Sequence, residues 1–249
     1  MEELFNKVLL KSGQKISKIL DQLKRPSIIE LKCAPWPLKG NGRANLKINK
    51  KKFIYLISPN KISNGFYKNL NLVLKTGKVS FFQLRLKNYS LSQKIKIGKK
   101  IKNICAQNNV KFIINDEPKL TLKLDADGCH LGQKDMDVNF AKKILGKKLI
   151  GITCHNSIKL AKKAIKAKAN YIAFGAFYSS KTKKAKYVAS IKILKQVKKF
   201  TNTPIVAIGG INSENYKNLL LNKANFLAIS GYIWKNKLYK PLLAIEKIK

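Results

Sequence analysis

The chain has 249 residues, 45% of them hydrophobic and 9% aromatic, and it carries a formal net charge of +40 at pH 7. This apolar content excludes a disordered basic tail, and no apolar run approaches the ~18 residues that a membrane span needs. The four cysteines (Cys33, Cys105, Cys129, Cys154) show no C-x-x-C spacing, so they predict reduced thiols rather than disulfides or a zinc site. We therefore expect a soluble cytoplasmic protein without a membrane partner.

The positive charge comes almost entirely from lysine. The 52 basic residues include only three arginines, Arg25, Arg43 and Arg85. The lysines are spread along nearly every predicted helix, whereas specific nucleic-acid readers usually combine arginine forks with aromatic side chains. We therefore predict that nucleic acid is not a partner. A non-catalytic barrel that binds RNA or other anions stays an alternative, and it predicts steep salt dependence of that binding.

The first fifty residues differ from the rest of the chain. Residues 2–23 have the apolar spacing of an amphipathic helix, and CAPWPLKGNGR (33–43) is typical of a Pro/Gly linker. We predict an N-terminal extension over residues 1–50, helix plus linker, followed by a catalytic domain over residues 51–249. The simplest role for the extension is packing on that domain or at a subunit interface, and a homo-oligomer is compatible with this interpretation.

From residue 53 onward, short apolar runs alternate with stretches of helical spacing. The runs are FIYLIS (53–58), VSFFQLR (79–85), KFIIND (111–116), DGCHL (127–131), KLIGIT (148–153), NYIAFG (170–175), PIVAIG (204–209) and FLAIS (226–230). Continuous apolar runs are typical of parallel strands that are buried on both faces. Eight strand–helix units predict an α/β fold, the (β/α)8 TIM barrel. A doubly wound open sheet is the alternative, but no G-x-G-x-x-G follows the first strand.

Polar residues follow the predicted strands, where TIM barrels place their active sites. The second strand ends in QLRLK (83–87), and strand alternation directs Gln83, Arg85 and Lys87 to one side. Arg85 is the only arginine after residue 43, and its planar fork suits a bidentate contact with an anion. These side chains predict an anion site at the end of the second strand.

Six of the twelve acidic residues lie between positions 116 and 137. Asp116 ends the third strand, and the loop after the fourth strand is predicted to contain His130, Gln133 and Asp135. Because neighbouring strands lie ~4.8 Å apart, Asp116 and Asp135 are expected to reach one ion. Two carboxylates that leave positions for water and phosphate oxygens suit Mg²⁺. Three further carboxylates are predicted to be turn or cap residues: Asp125, Asp127 and Asp137.

The last three strands predict phosphate binding. The sixth runs into FYSSKTKK (177–184), which supplies hydroxyl groups and lysines, and the seventh and eighth end in Gly209-Gly210 and Ser230-Gly231. The loops after strands seven and eight are the usual phosphate site of this barrel, where backbone N–H groups bind the anion. The C-terminal end of the barrel, its mouth, is thus predicted to contain a metal site and a phosphate pocket. It is also predicted to contain a cluster of basic side chains that suits a pyrophosphate group: Arg85, Lys87 and Lys183.

These motifs resemble those of the thiamine phosphate synthase (thiamine-phosphate pyrophosphorylase) family. The matching segments, in order, are QLRLK, IINDEPKLTLKLDADGCHLGQKD, GITCH, FGAFYSSKTK and AIGGINSEN, over roughly residues 52 to 235. The resemblance implies a Mg²⁺-dependent transferase of thiamine biosynthesis. Such an enzyme joins 4-amino-2-methyl-5-(diphosphooxymethyl)pyrimidine to a (carboxy)thiazole phosphate, and it releases thiamine phosphate and pyrophosphate by a dissociative substitution.

The resemblance also implies roles for individual residues. The metal ligands would be Asp116 and Asp135, and the catalytic cations that stabilise the leaving pyrophosphate would be Arg85, Lys87 and Lys183. The substrate-binding residues would be Gln83, Leu84, Arg85, Leu86, Lys87, Asn115, Thr153, Ser180, Lys181, Thr182, Lys183, Gly210, Ser230 and Gly231. Within that set, Gln83–Lys87, Asn115 and Thr153 would bind the pyrimidine substrate, and the remaining residues would contact phosphate groups.

The chain departs from the family pattern at three places. Glu117 stands where arginine is common, which either changes the charge near the metal or replaces an external salt bridge. Ser179 replaces a frequent proline, and the serine of AISGYI (228–233) comes one place early. A thiazole tautomerase of the same fold, with His155 transferring a proton and no magnesium, is the nearest alternative. Cys154 next to His155 looks like a catalytic pair, but adjacent strand residues face opposite sides, so we expect this neighbourhood to be incidental.

Overall fold

The computed structural model describes residues 52–179 and 187–249. The strands β1 to β8 are, in chain order, Ile54–Ile57, Val79–Leu84, Lys111–Asn115, Gly128–Leu131, Leu149–His155, Tyr171–Gly175, Ile205–Ile208 and Phe226–Ile229. Each strand pairs in parallel with the next, and β8 pairs with β1, which closes the barrel. The predicted TIM barrel is therefore confirmed. The predicted boundary of the extension near residue 50 lies outside the described residues.

Nine helices occur in the described ranges. The helices α1 to α9 are Phe66–Lys75, Leu91–Gln107, Pro118–Lys123, Val138–Leu145, Ile158–Lys166, Lys192–Lys198, Tyr216–Leu221, Gly231–Trp234 and Pro241–Glu246. Side chains define several helix starts: Ser90 and Gln93 form a capping box at α2, and the Ser157 hydroxyl accepts from the backbone N–H of Leu160 at α5. Such caps satisfy N–H groups that have no partner within the helix. No helix in the described ranges is long and apolar enough to cross a membrane.

Of the three carboxylates predicted as turn or cap residues, Asp125 and Asp137 have these roles, whereas Asp127 connects β3 to the segment before β4. Asp137 accepts hydrogen bonds from the backbone N–H groups of Asn139 and Phe140, and it caps α4. Asp125 lies in a turn with a positive φ of 46°, and Asp127 accepts a 2.8 Å hydrogen bond from the backbone N–H of Phe112. They are therefore structural and do not belong to the barrel mouth.

Side chains that alternate along the strands form two apolar layers. The outer layer packs the strands against the helices and includes Leu56, Phe82, Ile114, Ile152 and Leu227. The inner cluster fills the barrel and consists of Tyr55, Ile57, Phe81, Ile113, Leu149, Tyr171, Ala173, Val206, Phe226 and Ala228. Burial on both faces explains the continuous apolar runs in the sequence.

One glycine makes room for a large inner side chain. Gly151 of β5 is the register partner of Tyr171 of β6. A Cβ atom at position 151 would lie 1.9 Å from the Tyr171 ring, so only glycine allows the ring to occupy this place. Position 151 thus fixes where the Tyr171 hydroxyl group lies within the barrel.

The end of the chain is bound at the N-terminal ends of the strands. Lys78 directly precedes β2, and its Nζ donates hydrogen bonds to the carbonyl oxygens of Ile245, Glu246 and Ile248, the last at 2.8 Å. A lysine at the C-terminus of a helix satisfies its last carbonyl groups and complements its dipole. The C-terminus of the chain therefore lies at the barrel end opposite to the strand C-termini.

Candidate active site

The C-terminal ends of β2 and β3 place two amide side chains together. Gln83, which is 3% exposed, donates from Nε2 to Oδ1 of Asn115 at 2.5 Å. The Asn115 side chain also lies near the Asp116 carboxyl group, where it acts to lower the pKa of that group. This contact uses the Gln83 amide nitrogen and leaves its Oε1 to accept another hydrogen bond. The arrangement presents an ordered row of polar groups beside a carboxylate.

Asp116 and Asp135 lie together at the mouth. Asp116 has a positive φ of 63°, and its backbone N–H donates a 2.8 Å hydrogen bond to the His130 carbonyl oxygen. Asp135 lies in the exposed turn after β4, where its Oδ2 accepts from the backbone N–H of Gly132 at 2.7 Å. The two carboxyl groups are in hydrogen-bonding contact with each other. The end of β3 and the turn after β4 thus bring the Asp116 and Asp135 carboxyl groups together.

This convergence changes the acidity of Asp116. Burial, then the hydrogen bond and the charge of Asp135, raise the pKa of Asp116 to about 6, and Lys87 opposes this shift. The Nζ of Lys87 lies 4.0 Å from Oδ2 of Asp116. Two neighbouring carboxylates resist ionising together unless a cation lies near them. The pair therefore has the electrostatic character of a cation site.

The donor set fits magnesium better than zinc. In the described part of the chain, no group of three or more His, Cys, Asp or Glu side chains could hold a metal. Mg²⁺ is commonly bound by one or two carboxylates and completes its shell with water and substrate phosphates, whereas structural zinc sites need four protein ligands. Asp116 and Asp135 fit the first pattern.

Arg85 lies just beyond β2 and is anchored through its main chain. Its backbone N–H donates a 2.9 Å hydrogen bond to the hydroxyl of Ser58, and Ser58 is 2% exposed. The Ser230 hydroxyl in turn donates to the Ser58 carbonyl oxygen at 3.1 Å. Ser58 therefore connects the Arg85 segment with the end of β8.

The side chains of Leu84 and Leu86 point away from the mouth. Both are buried in the outer apolar layer, at 3% and 5% exposure. The alternation that directs Gln83 inward directs these leucines toward the helices. The main-chain atoms of Leu84 and Leu86, and not their side chains, are therefore the groups that face a substrate in the mouth, and their substrate-binding role stays a prediction.

His130 lies in β4, as the run DGCHL (127–131) predicts, and not in the following loop with Gln133 and Asp135. It faces the barrel interior, where Nδ1 lies 3.2 Å from the Tyr171 hydroxyl and Nε2 lies 2.9 Å from the Thr153 hydroxyl. The Tyr171 hydroxyl also bonds to that of Tyr55 at 2.8 Å. Burial lowers the pKa of His130 to about 4, so this imidazole is neutral at pH 7.

Cys154 and His155 do not form a catalytic pair. Cys154 is fully buried in the outer apolar layer, and burial raises the pKa of its thiol to about 12. His155 follows a register shift in the β5–β6 pairing, has a φ of 53°, and lies against the Tyr187 ring with centroids 4.2 Å apart. The expectation that their adjacency is incidental is confirmed.

The predicted phosphate loops approach each other closely. Gly210 has a φ of 63°, and a Cβ atom at this position would lie 2.3 Å from the Ser179 carbonyl oxygen. Asn215 fixes the turn because its side chain donates to the Gly210 carbonyl oxygen at 3.0 Å. Gly231 is the first residue of α8, directly after Ser230. The other predicted residues of this site lie outside the described residues: Ser180, Lys181, Thr182 and Lys183.

Glu117 faces a helix. Its Oε1 lies 2.6 Å from Nζ of Lys94 in α2. Of the two expectations for this departure from the family pattern, the external salt bridge is the one present. The carboxylate next to Asp116 in sequence therefore belongs to a separate ion pair.

Sequence reasoning missed Ser58, Tyr55 and Tyr171 as members of the site. Their contacts join residues that are 27 to 116 positions apart, and each looks like an ordinary strand residue. The signal that was present is chemical: a tyrosine in a buried strand needs a partner for its hydroxyl.

Comparisons with known proteins agree with this geometry. The model of the family described as "Thiamine monophosphate synthase" matches residues 54–233. A "Thiamine-phosphate synthase" of Pelagibacter ubique is 67% identical over 82% of this chain and 98% of its own length, and one of Erythrobacter litoralis is 39% identical over 73% of this chain and 87% of its own.

A solved structure has the same architecture. The "Thiamine phosphate pyrophosphorylase" of Pyrococcus furiosus superposes with a TM-score of 0.70 at 26% identity, over 80% of this chain and 94% of that one. The matched family region spans all eight strands of the barrel, from the first residue of β1 to α8. The chain belongs to the thiamine monophosphate synthase family of transferases.

Proposed function

We propose that this chain is a thiamine-phosphate synthase. It joins 4-amino-2-methyl-5-(diphosphooxymethyl)pyrimidine to a (carboxy)thiazole phosphate and releases thiamine phosphate and pyrophosphate, together with CO2 when the thiazole carries the carboxylate. The observation that carries this proposal is the contact between the Asp116 and Asp135 carboxyl groups, with Lys87 4.0 Å from Asp116, at the barrel mouth. The 67% identity to the Pelagibacter ubique relative supports the same reaction.

The paired amide side chains of Gln83 and Asn115, at the ends of β2 and β3, suit an aminopyrimidine. Gln83 donates to Asn115, so its Oε1 is left to accept from an amino group of the substrate. The low exposure of Gln83 protects such a contact from competition with water. Gln83 and Asn115 would thus orient the pyrimidine ring with its methylene carbon toward the cationic side chains.

The cationic side chains assist departure of pyrophosphate. The bond between the methylene carbon and the bridging oxygen breaks, and both electrons leave with pyrophosphate. Arg85 and Lys87, with Lys183 by likeness to the family, stabilise the negative charge that develops. Asp116 and Asp135 would hold Mg²⁺, which when bound adds positive charge against the leaving phosphates.

The thiazole partner then forms the new bond. The aminopyrimidine ring supports the positive charge on the methylene carbon, and the thiazole nitrogen donates its lone pair to that carbon. No side-chain nucleophile is needed for this substitution. By likeness to the family, Ser180 and Thr182, together with backbone N–H groups of Gly210, Ser230 and Gly231, bind the thiazole phosphate.

The test is a direct assay of the purified full chain. The protein is mixed with both substrates and magnesium, and thiamine phosphate is followed by mass spectrometry, with EDTA in a parallel reaction. We expect product that disappears with EDTA. Asp116→Asn and Asp135→Asn are expected to abolish turnover, whereas Asp137→Asn keeps it, because Asp137 caps α4 and asparagine is an equally good cap.

Two results would contradict the proposal. Absence of product, with an active reference enzyme in parallel, would favour the tautomerase that uses His155, and loss of isomerisation in His155→Gln would then identify it. Full activity in Asp116→Asn would overturn the metal assignment. A cytoplasmic location, the absence of nucleic-acid partners and a homo-oligomeric state stay predictions from the sequence.

A further inference from the structure

Four polar side chains form one hydrogen-bonded chain inside the barrel. It runs from the Tyr55 hydroxyl to the Tyr171 hydroxyl (2.8 Å), then to Nδ1 of His130 (3.2 Å), and from Nε2 of His130 to the Thr153 hydroxyl (2.9 Å). Tyr55 and Tyr171 are each 1% exposed. This series of hydrogen bonds therefore begins in the dry interior at Tyr55 and ends at Thr153, which is partly exposed near the mouth.

The direction of the hydrogen bonds follows from counting hydrogens. Within the described ranges, Tyr171 is the one hydrogen-bonding partner of the Tyr55 hydroxyl. If Tyr55 donates to Tyr171, then Tyr171 donates to Nδ1 of His130, and Nε2–H of His130 donates to Thr153. Every buried hydrogen then has an acceptor, as buried polar groups require.

The other direction leaves one hydrogen unpaired. If Thr153 donates to Nε2, then Nδ1–H donates to Tyr171 and Tyr171 donates to Tyr55, whose own hydrogen has no acceptor. A charged imidazolium, which donates from both nitrogens, leaves the same Tyr55 hydrogen unpaired. An unsatisfied buried donor carries the full desolvation penalty of that group.

We propose that Tyr171, to which Tyr55 donates, fixes the tautomer of His130, so that Nε2 carries its proton and Thr153 presents its hydroxyl hydrogen to the mouth. Tyr55, Tyr171 and His130 are positioning residues, and Thr153 is the residue that meets the substrate. Thr153 then acts as a hydrogen-bond donor, which selects a lone-pair acceptor such as a ring nitrogen of the pyrimidine substrate and disfavours an amino group at that place. The substrate part of this proposal rests on the proposed function, whereas the tautomer does not.

The tautomer is measured directly by NMR. The chain has only two histidines, His130 and His155, so protein labelled with ¹⁵N-histidine gives two imidazole spin systems, and His155→Gln assigns them. We expect His130 in the free protein at pH 7 to show a protonated Nε2 and an unprotonated Nδ1. A protonated Nδ1, alone or together with Nε2, would overturn the proposal.

Matched tyrosine variants separate positioning from general stability. Tyr171→Phe removes the partner of Nδ1 and is expected to shift His130 toward a mixture of tautomers. Tyr55→Phe is expected to keep the Nε2–H form, because Tyr171 then becomes the terminal donor. Tyr216→Phe is the control, since Tyr216 is also 1% exposed but bonds to the main chain at Lys249. An equal shift in Tyr216→Phe would show that the effect is not specific.

Kinetics test the contact with substrate. Thr153→Val and Tyr171→Phe are each expected to raise the KM of the pyrimidine diphosphate about 3- to 10-fold, the range of one neutral hydrogen bond, while Thr153→Ser restores the donor. The KM of the thiazole phosphate is expected to stay unchanged in all three. An unaltered pyrimidine KM in Thr153→Val would overturn the donor role. If the wild type forms no product, the proposed function fails, and the NMR spectrum still decides the tautomer.

Discussion

The hydroxyl of Ser58 accepts a 2.9 Å hydrogen bond from the backbone N–H of Arg85. Ser58 ends the first predicted strand segment, and Arg85 carries the only guanidinium after residue 43. Because the carbonyl oxygen of Ser58 also accepts from Ser230, this buried serine joins the Arg85 segment after β2 to the end of β8. The Arg85 contact thus depends on the Ser58 side chain, and the Ser230 contact depends on its main chain.

Replacement of Ser58 by alanine is expected to affect both stability and substrate binding. The Arg85 N–H loses its partner at a nearly water-free position, which costs about 1–3 kcal/mol of the free energy of unfolding. The KM of the pyrimidine diphosphate is expected to rise severalfold because the Arg85 segment is less well fixed. Urea unfolding and initial-rate kinetics measure the two effects.

Ser80→Ala is the matched control for this variant. The Ser80 hydroxyl donates to the carbonyl oxygen of Lys52 at 2.5 Å, near the other end of β2. We expect a loss of stability without a change in KM. An unchanged KM in Ser58→Ala would mean that Arg85 keeps its place without this hydrogen bond.

Metal-free protein is expected to lose stability as the pH rises from about 4 to about 6. The pKa of Asp116 is raised to about 6, above its value of ~4 in the unfolded chain, so the folded state binds more protons in this window. The contribution of this group to the free energy of unfolding is therefore present at low pH and is lost as the pH passes 6. The expected loss is about 2–3 kcal/mol. Urea unfolding in EDTA at several pH values measures it.

Asp116→Asn isolates this contribution. Asparagine tolerates the positive φ at this position and cannot ionise, so the variant is expected to lack the decrease between pH 4 and 6. Magnesium at pH 7 is expected to stabilise the wild type and not the variant. Parallel pH curves for the two proteins would contradict the pairing of Asp116 with Asp135.

Gly151→Ala is expected to overpack the barrel. The added Cβ atom would lie 1.9 Å from the Tyr171 ring, and overpacking of this kind costs about 1–3 kcal/mol or more. Thermal unfolding measures the loss. Gly65→Ala is the control, since its Cβ atom would meet only the Asn69 side chain at 3.8 Å. Equal stability of the two variants would show that the Tyr171 ring has room to move.

Glu117→Gln is expected to leave both kcat and the two KM values nearly unchanged. The carboxylate pairs with Lys94 on α2, and a partly exposed ion pair contributes at most about 1 kcal/mol to stability. A double-mutant cycle with Lys94→Gln measures that coupling by urea unfolding. A large loss of kcat in Glu117→Gln alone would instead connect this carboxylate to the metal site.

The sequence predicted the barrel well because local patterns decide it. Strands that are buried on both faces must be apolar throughout, and their alternation with helices leaves few topologies. The same alternation directs Gln83 inward and Leu84 outward. The family resemblance names both residues as substrate-binding and does not distinguish side chain from main chain, whereas strand geometry does.

The interior polar chain was not predictable in the same way. Tyr55 and Tyr171 lie in apolar runs where a tyrosine is by default a core residue, and only barrel closure brings their hydroxyl groups to 2.8 Å. The run DGCHL places His130 in the fourth strand, but no spacing in the sequence brings its imidazole between the Tyr171 and Thr153 hydroxyl groups. Long-range contacts of this kind leave no signal in the spacing of one sequence.

The attachment of the chain end to Lys78 has a practical consequence. Since the carbonyl groups of Ile245, Glu246 and Ile248 are bound at the N-terminal ends of the strands, an affinity tag or a surface linker added after Lys249 would leave from the face opposite to the mouth. Protein immobilised through its C-terminus would therefore keep the mouth open to solution, which suits binding measurements with both substrates on a sensor surface.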